Sequence, residues 1–275
     1  MREKFLVRPS TVAGLFYDDS PDILRKNIDE YLEHARVPTL KGTVRALVSP
    51  HAGYVYSGFT ASHAYKMIEG CIYDCVIVVG PSHREYFNGV SIYPGDAYET
   101  PLGIIPINKE IKEDLLKENS VIVASDAGHR SEHSIEVQLP FLQSVLGDFS
   151  FVPVIMGDQH RQLCNELAGA IVRVAANRNI LLVASSDLSH YHTYDEAVML
   201  DNRVISEMEE FNSETFIDKI EEDSFEACGG GPIAAVMNSA RQLGASKAEI
   251  LYYCNSGDIT GDKSGVVGYL AAAFV

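Results

Sequence analysis

The sequence predicts an α/β fold, a three-layer α/β/α arrangement around a central, largely parallel or mixed sheet. Two observations carry this expectation. Short apolar runs rich in Val and Ile alternate along the chain with longer stretches of helical period. Several of those runs, such as "DCVIVVG" (74–80) and "NILLVAS" (179–185), are apolar at every other position and also in between. Such strands need helices over both faces. No low-complexity tract, internal repeat or Pro/Ser-rich linker divides the pattern, so 1–275 is expected to be a single domain.

The elements follow from that alternation in chain order. A helix is expected over 21–35, where Leu24, Ile28 and Leu32 recur at helical spacing, and a strand over 43–49. A helix over 58–69 then precedes strands at 74–80 and 89–93. Next come a helix at 108–118, a strand at 120–124 and a helix at 133–146 whose Ile135, Leu139 and Leu142 form an apolar stripe. A strand at 149–156, a helix at 159–177 and a strand at 179–185 repeat the alternation. Helices at 195–210, 213–221 and 231–244 follow, the last opened by Pro232, a residue favoured at the first helical position. Strands at 248–254 and 265–273 close the chain.

Composition narrows the function classes. Of 275 residues, 46% are hydrophobic and 22% charged, which supplies a sizeable core and gives no sign of disorder. A net charge of −16 disfavours a nucleic-acid backbone or an anionic membrane surface as partner. The first residues, "MREKFLVRPS", lack the apolar core of a secretory signal. No apolar run approaches the ~20 residues of a membrane-spanning helix. A cytoplasmic protein with no nucleic-acid or membrane partner is expected. The 5 cysteines include no CxxC pair. Cys71, Cys75, Cys164 and Cys254 are expected to be buried thiols in a reducing compartment.

Three histidines share one position relative to the strands. "LVSPHAG" places His51, "VIVVGPSH" places His83 and "LLVASSDLSH" places Asp187 and His190 just after an apolar run. In open α/β sheets the carboxyl ends of the strands face one crevice, where ligands bind. His51, His83, Asp187 and His190 are therefore expected to converge at one rim. Neutral imidazole is the commonest ligand for first-row metals, and two histidines plus one anionic ligand leave coordination positions open. His51 and His83, each in a tight turn, are the candidate pair. The third ligand is Asp187, Glu132 or Cys228.

Cys228 precedes three glycines and the helix-opening proline in "FEACGGGPIAAVM". Free amides and the positive helix end there are expected to lower the pKa of the thiol. In "GHRSEHSIEVQLPFL", Glu132 stands beside a helix N-terminus, and His133 is a candidate hydrogen-bond donor to substrate. Asp187 is a candidate orienting carboxylate and His190 a candidate general base near pH 7. His192 need not point the same way as His190. His34 and His160 read as solvated, and His63 and His129 receive no role. GxSxG, HExxH, the P-loop pattern and GxGxxG are all absent, which removes most serine-hydrolase and nucleotide-binding readings.

The stretches "RPSTVAGLFYDDSPDILRKNIDEYL", "PHAGYVYSG", "GPSH", "EHSIEVQLPFL", "SSDLSH" and "CGGGPI", in this order, resemble the Memo family, whose microbial members are called AmmeMemoRadiSam system protein B. The likeness runs from about residue 8 to the C-terminal "GYLAAAF". The resemblance implies a fold similar to the LigB-like class III extradiol dioxygenases, which open catechol rings with O₂ at an Fe(II) held by two histidines and a glutamate. Carried over by motif, His51 and His83 would be the histidine ligands and Cys228 would replace the glutamate. His190 would be the base, His133 the substrate-side histidine, and Asp187, Tyr54 and Glu132 would line the pocket.

The implied cofactor is Fe(II), with Cu or Zn as alternatives, because a thiolate is softer than a carboxylate and open to oxidation by O₂ chemistry. The implied function is an Fe(II)-dependent oxidoreductase acting on an aromatic or phenolic small molecule. The alternative is a non-enzymatic copper- or iron-binding, or peptide-binding, adaptor that keeps the cleft. A zinc hydrolase with Asp187 or Glu132 as base is a third reading. By family association, radical-SAM and AMMECR-type proteins are the implied partners.

Overall fold

The computed structural model describes residues 5–222, 224 and 226–275. The chain opens with a short strand β1 (Val7–Arg8), helix α1 (Pro21–His34), β2 (Ala46–Ser49), α2 (Tyr54–Lys66) and β3 (Cys75–Pro81). Short strands β4 (Val90–Ile92), β5 (Ala97–Thr100) and β6 (Gly103–Pro106) lead to α3 (Lys109–Glu118) and β7 (Ile122–Ala124). A 3₁₀ turn at Glu136–Gln138 runs into α4 (Leu139–Leu146), followed by β8 (Phe151–Met156), α5 (Arg161–Ala175), β9 (Ile180–Ser185) and β10 (His190–His192). The last elements are α6 (Tyr194–Glu209), α7 (Ser213–Glu221), α8 (Gly230–Gln242), β11 (Ala248–Asn255), a short α9 (Ser256–Thr260) and β12 (Val266–Phe274).

Among the described residues the main sheet has 9 strands in the order β10-β12-β2-β9-β3-β8-β4-β7, with β11 paired to β12. Its centre, β2-β9-β3-β8, is parallel, while β12 and β4 join antiparallel. Because side chains alternate across a strand, each central strand feeds two cores. Leu47, Val76, Val78, Leu181 and Val183 enter the core beneath α1, α2 and α4. Ala46, Val48, Ile77, Val79, Leu182 and Ala184 enter the core beneath α3, α5, α6, α7 and α8. The molecule is a three-layer α/β/α fold with a mixed sheet. A small side sheet of β1, β5 and β6 sits apart from it. Among the described residues no helix is long and apolar enough to cross a membrane.

Three differences from the sequence reading have local causes. The helix expected over 58–69 spans Tyr54–Lys66, and Gly58 inside it marks a close approach. A Cβ on Gly58 would lie 2.7 Å from the Tyr31 ring, so α1 packs onto α2 only over glycine. The helix expected over 133–146 becomes regular only at Leu139. The Glu132 carboxylate takes the amides of His133 and Ser134 at 2.9 and 3.0 Å, and Pro140 has no N–H to extend the ladder backward. Cys71 is exposed, not buried. Its apolar neighbours belong to a turn after α2 in which Ile72 is 86% exposed, and β3 begins only at Cys75. Cys75, Cys164 and Cys254 are buried.

Candidate metal centre

The parallel strands β2, β9, β3 and β8 end side by side, and the turn after each supplies one part of the site. His51 follows β2, Asp187 follows β9, His83 follows β3 and Gln159 follows β8. Ligand atoms of His51, His83 and Cys228 all lie within 4.8 Å of one another. Metal–ligand lengths of about 2.0–2.3 Å separate two ligands of one ion by roughly 3–4.5 Å, so the cluster is close to the size of a coordination shell. The rings confirm the crowding. His51 and His83 meet edge-on with centroids 5.0 Å apart, and His133 stacks on His83 at 4.8 Å.

His51 and His83 are each held in one tautomer. His51 Nδ1 lies 2.9 Å from Ser185 Oγ. That hydroxyl donates to the Ser134 carbonyl at 2.6 Å, so its oxygen faces His51 as an acceptor, and Gln138 Nε2 donates to it at 2.7 Å. The proton of His51 therefore sits on Nδ1, and Nε2 keeps its lone pair, aimed at Cys228 Sγ 3.2 Å away. His83 Nδ1 donates to Glu132 Oε1 at 2.9 Å, and its backbone amide donates to Oε2 at 2.6 Å. Its Nε2 is left free in the same way. Hydrogen bonds that fix ring orientation and tautomer in this manner are a recurrent feature of metal-binding histidines.

Burial holds His51, His133 and His190 toward the neutral form, the form a metal needs. Burial, and after it the neighbouring rings of His83, His133 and His190, hold His51 well below the ordinary imidazole pKa. Burial brings His133 down to about 4 against the opposing pull of Glu132. Burial and the nearby His83 also lower His190. For Glu132, burial alone would raise the carboxyl, but His83 and the amides of His83 and Ser134 outweigh it and hold it near 2. The Glu132 charge is thus a fixed feature of the site.

Cys228 departs from expectation. Burial, and then the Asp187 carboxylate, push its thiol up, not down. Amides do reach the sulfur, including that of Asp187 at 3.2 Å, yet without a cation nearby they do not offset desolvation. A positive ion between His51 and His83 would supply the missing charge and favour the thiolate. The turn carrying Cys228 is dovetailed into the strand ends. A Cβ on Gly229 would sit 2.3 Å from the Ser185 carbonyl oxygen. Gln159 clamps the same turn, donating to the Cys228 carbonyl at 2.9 Å and accepting from the Gly231 amide at 2.8 Å.

The sequence model of a family described as "Memo-like protein" matches residues 8–273. The chain belongs to the Memo family. It is similar to a MEMO1 family protein of Thermoplasma volcanium, 39% identical over 265 residues, with 96% of this chain and 97% of that one covered. A MEMO1 family protein of Nitrosopumilus maritimus is 35% identical over 276 residues, with 98% and 100% covered. Among solved structures, an uncharacterized protein from Escherichia coli K12 has the same fold, with a TM-score of 0.61 at 12% identity, covering 85% of this chain and 100% of that chain.

In this Memo protein the remaining candidate residues take distinct places. Asp187 accepts from the His51 amide at 2.8 Å and from the Ala52 amide. Burial raises it to about 7, with those amides opposing. It anchors the His51 turn, and neither orients His190 nor joins the metal-sized cluster. Glu132 backs His83 through hydrogen bonds, and with His83 and His133 it forms a second group of metal-ligand spacing. His190 is half-buried at the start of β10 and interacts electrostatically with His51 and His83. Tyr54 is buried in the core beneath α1 and α2, its ring against Tyr17 and Phe141 and its hydroxyl donating to the Val137 carbonyl at 2.8 Å. That hydroxyl is committed to the fold. His192 turns to Glu226 at 3.0 Å. Ser185, Gln138 and Gln159 were not singled out from the sequence. The glutamine set among apolar residues in "EVQLP" is the signal that could have marked Gln138.

Proposed function

We propose that this Memo protein binds one first-row metal ion, iron(II) foremost, through Nε2 of His51, Nε2 of His83 and the thiolate of Cys228. The bound ion serves oxidation of a small aromatic or phenolic compound in the strand-end cleft. One observation carries the reading: three ligand atoms within 4.8 Å of one another, with both imidazoles locked so that Nε2 is bare. The donor set fits such an ion, because two neutral imidazoles and one anionic sulfur leave positions open.

When bound, the ion supplies Lewis acidity and one-electron redox chemistry. The chain supplies the rest. Ser185 and Glu132 orient the ligands, and Asp187 pins the His51 turn. His83 keeps 30% of its side chain exposed, which gives a small molecule access. In this reading His190, held toward the neutral form by burial, takes a proton from a phenolic hydroxyl. The candidate bases of a hydrolytic zinc site, Glu132 and Asp187, are both engaged with backbone amides, which weighs against that reading.

The soft sulfur ligand favours one second reading, a non-enzymatic copper- or iron-holding adaptor that works through the same residues. Protein purified without oxygen tests both. Elemental analysis is expected to give near one iron per chain, lost in His83→Ala and Cys228→Ala, and iron-loaded protein is expected to consume O₂ with a member of a catechol panel. Cys228-dependent Cu(I) binding without turnover selects the second reading. Metal content that is negligible, or unchanged in both variants, overturns both.

A further inference from the structure

The segment "RPST" and the stretch "EHSIEVQ" meet in the fold through groups the metal site does not itself use. Arg8 is 3% exposed. Its Nε donates to the His129 carbonyl, its Nη2 to the Glu132 carbonyl at 2.6 Å and its Nη1 to Glu136 Oε2 at 2.6 Å. The guanidinium also lies over the Tyr98 ring, 4.6 Å from its centroid. Glu136, fully buried, accepts as well from Thr11 N at 2.9 Å, Val12 N at 3.0 Å and Tyr17 Oη at 2.7 Å. The N-terminal segment is thereby strapped across residues 129–136, and that stretch presents Glu132 to His83.

We propose that Arg8 is a positioning residue for the metal site: by gripping the carbonyls of His129 and Glu132 it fixes the Glu132 carboxylate, and through it the His83 ring. The proposal rests on the metal-binding reading above. The geometry requires arginine, because a flat fork of donors is needed to reach two carbonyls and one carboxylate at once. A lysine keeps the charge that Glu136 needs in its buried setting but has a single ammonium and cannot hold both carbonyls. The path is short. Arg8 touches the backbone of Glu132, and the side chain of Glu132 touches both the amide and Nδ1 of His83.

The test compares wild type, Arg8→Lys and Leu115→Ala, a truncation in the opposite core with no link to the site. In ¹⁵N-histidine-labelled, metal-free protein at pH 7.5, His83 is expected to show protonated Nδ1 and bare Nε2 in wild type and Leu115→Ala. Arg8→Lys is expected to show a tautomer mixture. Co(II) titration is expected to show roughly 10–100-fold weaker binding in Arg8→Lys alone. If Arg8→Lys does not fold, Arg8→Gln combined with Glu136→Gln, which removes both buried charges together, takes its place with the same readouts. Arg8 has no positioning role if His83 signals and Co(II) affinity match wild type, or if Leu115→Ala shifts them equally. A wild type that binds no Co(II) removes the metal reading, while the metal-free tautomer comparison still decides the role of Arg8.

Discussion

Glu132 Oε1 lies 2.9 Å from Nδ1 of His83, and Oε2 of the same carboxylate takes the backbone amide of His83 at 2.6 Å. Two hydrogen bonds to one residue fix both where the ring stands and which nitrogen is bare. Glu132→Gln turns one acceptor into a donor facing an N–H, so His83 loses one of its two anchors. Metal titration of the variant is expected to show roughly 10–100-fold weaker binding, with the fold retained. An affinity within twofold of wild type rules this role out.

The rim position of the site was legible because apolar strands followed by Pro, Gly and His are a local signal, and sheet topology does the gathering. The element pattern was legible for the same reason: β3, β8 and β9 carry their burial in their own composition. The first turn of α2 was missed because the glycine within that helix, Gly58, shows its purpose only once the Tyr31 ring that needs the space is known. The thiol pKa misled because helix-end amides are visible in the sequence and desolvation is not. Ser185, Gln159 and Arg8 act through partners 47 to 134 positions away, and no spacing rule reaches across such distances.

Gly229 carries a sharp packing constraint. A Cβ there meets the Ser185 carbonyl oxygen at 2.3 Å and Ser186 Cβ at 2.8 Å, groups fixed at the end of β9. Gly229→Ala must move the turn, and Cys228 with it. Loss of the thiolate-to-Co(II) charge-transfer band and a lowered melting temperature are expected. Gly169→Ala in α5 meets only the flexible end of Arg173 and is expected to keep the band and gain about 0.5–1 kcal/mol of stability. An intact band in Gly229→Ala contradicts the dovetailed turn.

The thiols divide by exposure. Cys71 is exposed, while Cys75 and Cys164 are buried and pushed up to about 12 by that burial. An alkylating reagent at pH 8 is expected to label Cys71 first and Cys75 and Cys164 only on unfolding. Bound metal is expected to slow labelling of Cys228 further. Peptide mass mapping over time reads the order, and labelling of Cys75 at the rate of Cys71 refutes it.

His129 gives the fold a pH dependence. It is 1% exposed. Its Nδ1 accepts from the Tyr98 hydroxyl at 2.6 Å, and its Nε2 faces the Ser91 carbonyl at 3.3 Å, so the folded protein wants it neutral. Burial, with the Arg8 cation adding to it, lowers its pKa from 6.5 to about 3. The unfolded chain, with an ordinary imidazole, takes up the proton first as pH falls. The stabilisation is therefore complete above about 6.5 and is lost between there and about 3. At about 1.4 kcal/mol per pH unit, this one group contributes roughly 3–5 kcal/mol to acid sensitivity. His129→Gln cannot titrate and keeps an acceptor for Tyr98. Urea unfolding from pH 7 to pH 4 is expected to show a lower midpoint than wild type at pH 7 and a shallower decline toward pH 4. Parallel declines in the two proteins would assign the acid sensitivity elsewhere.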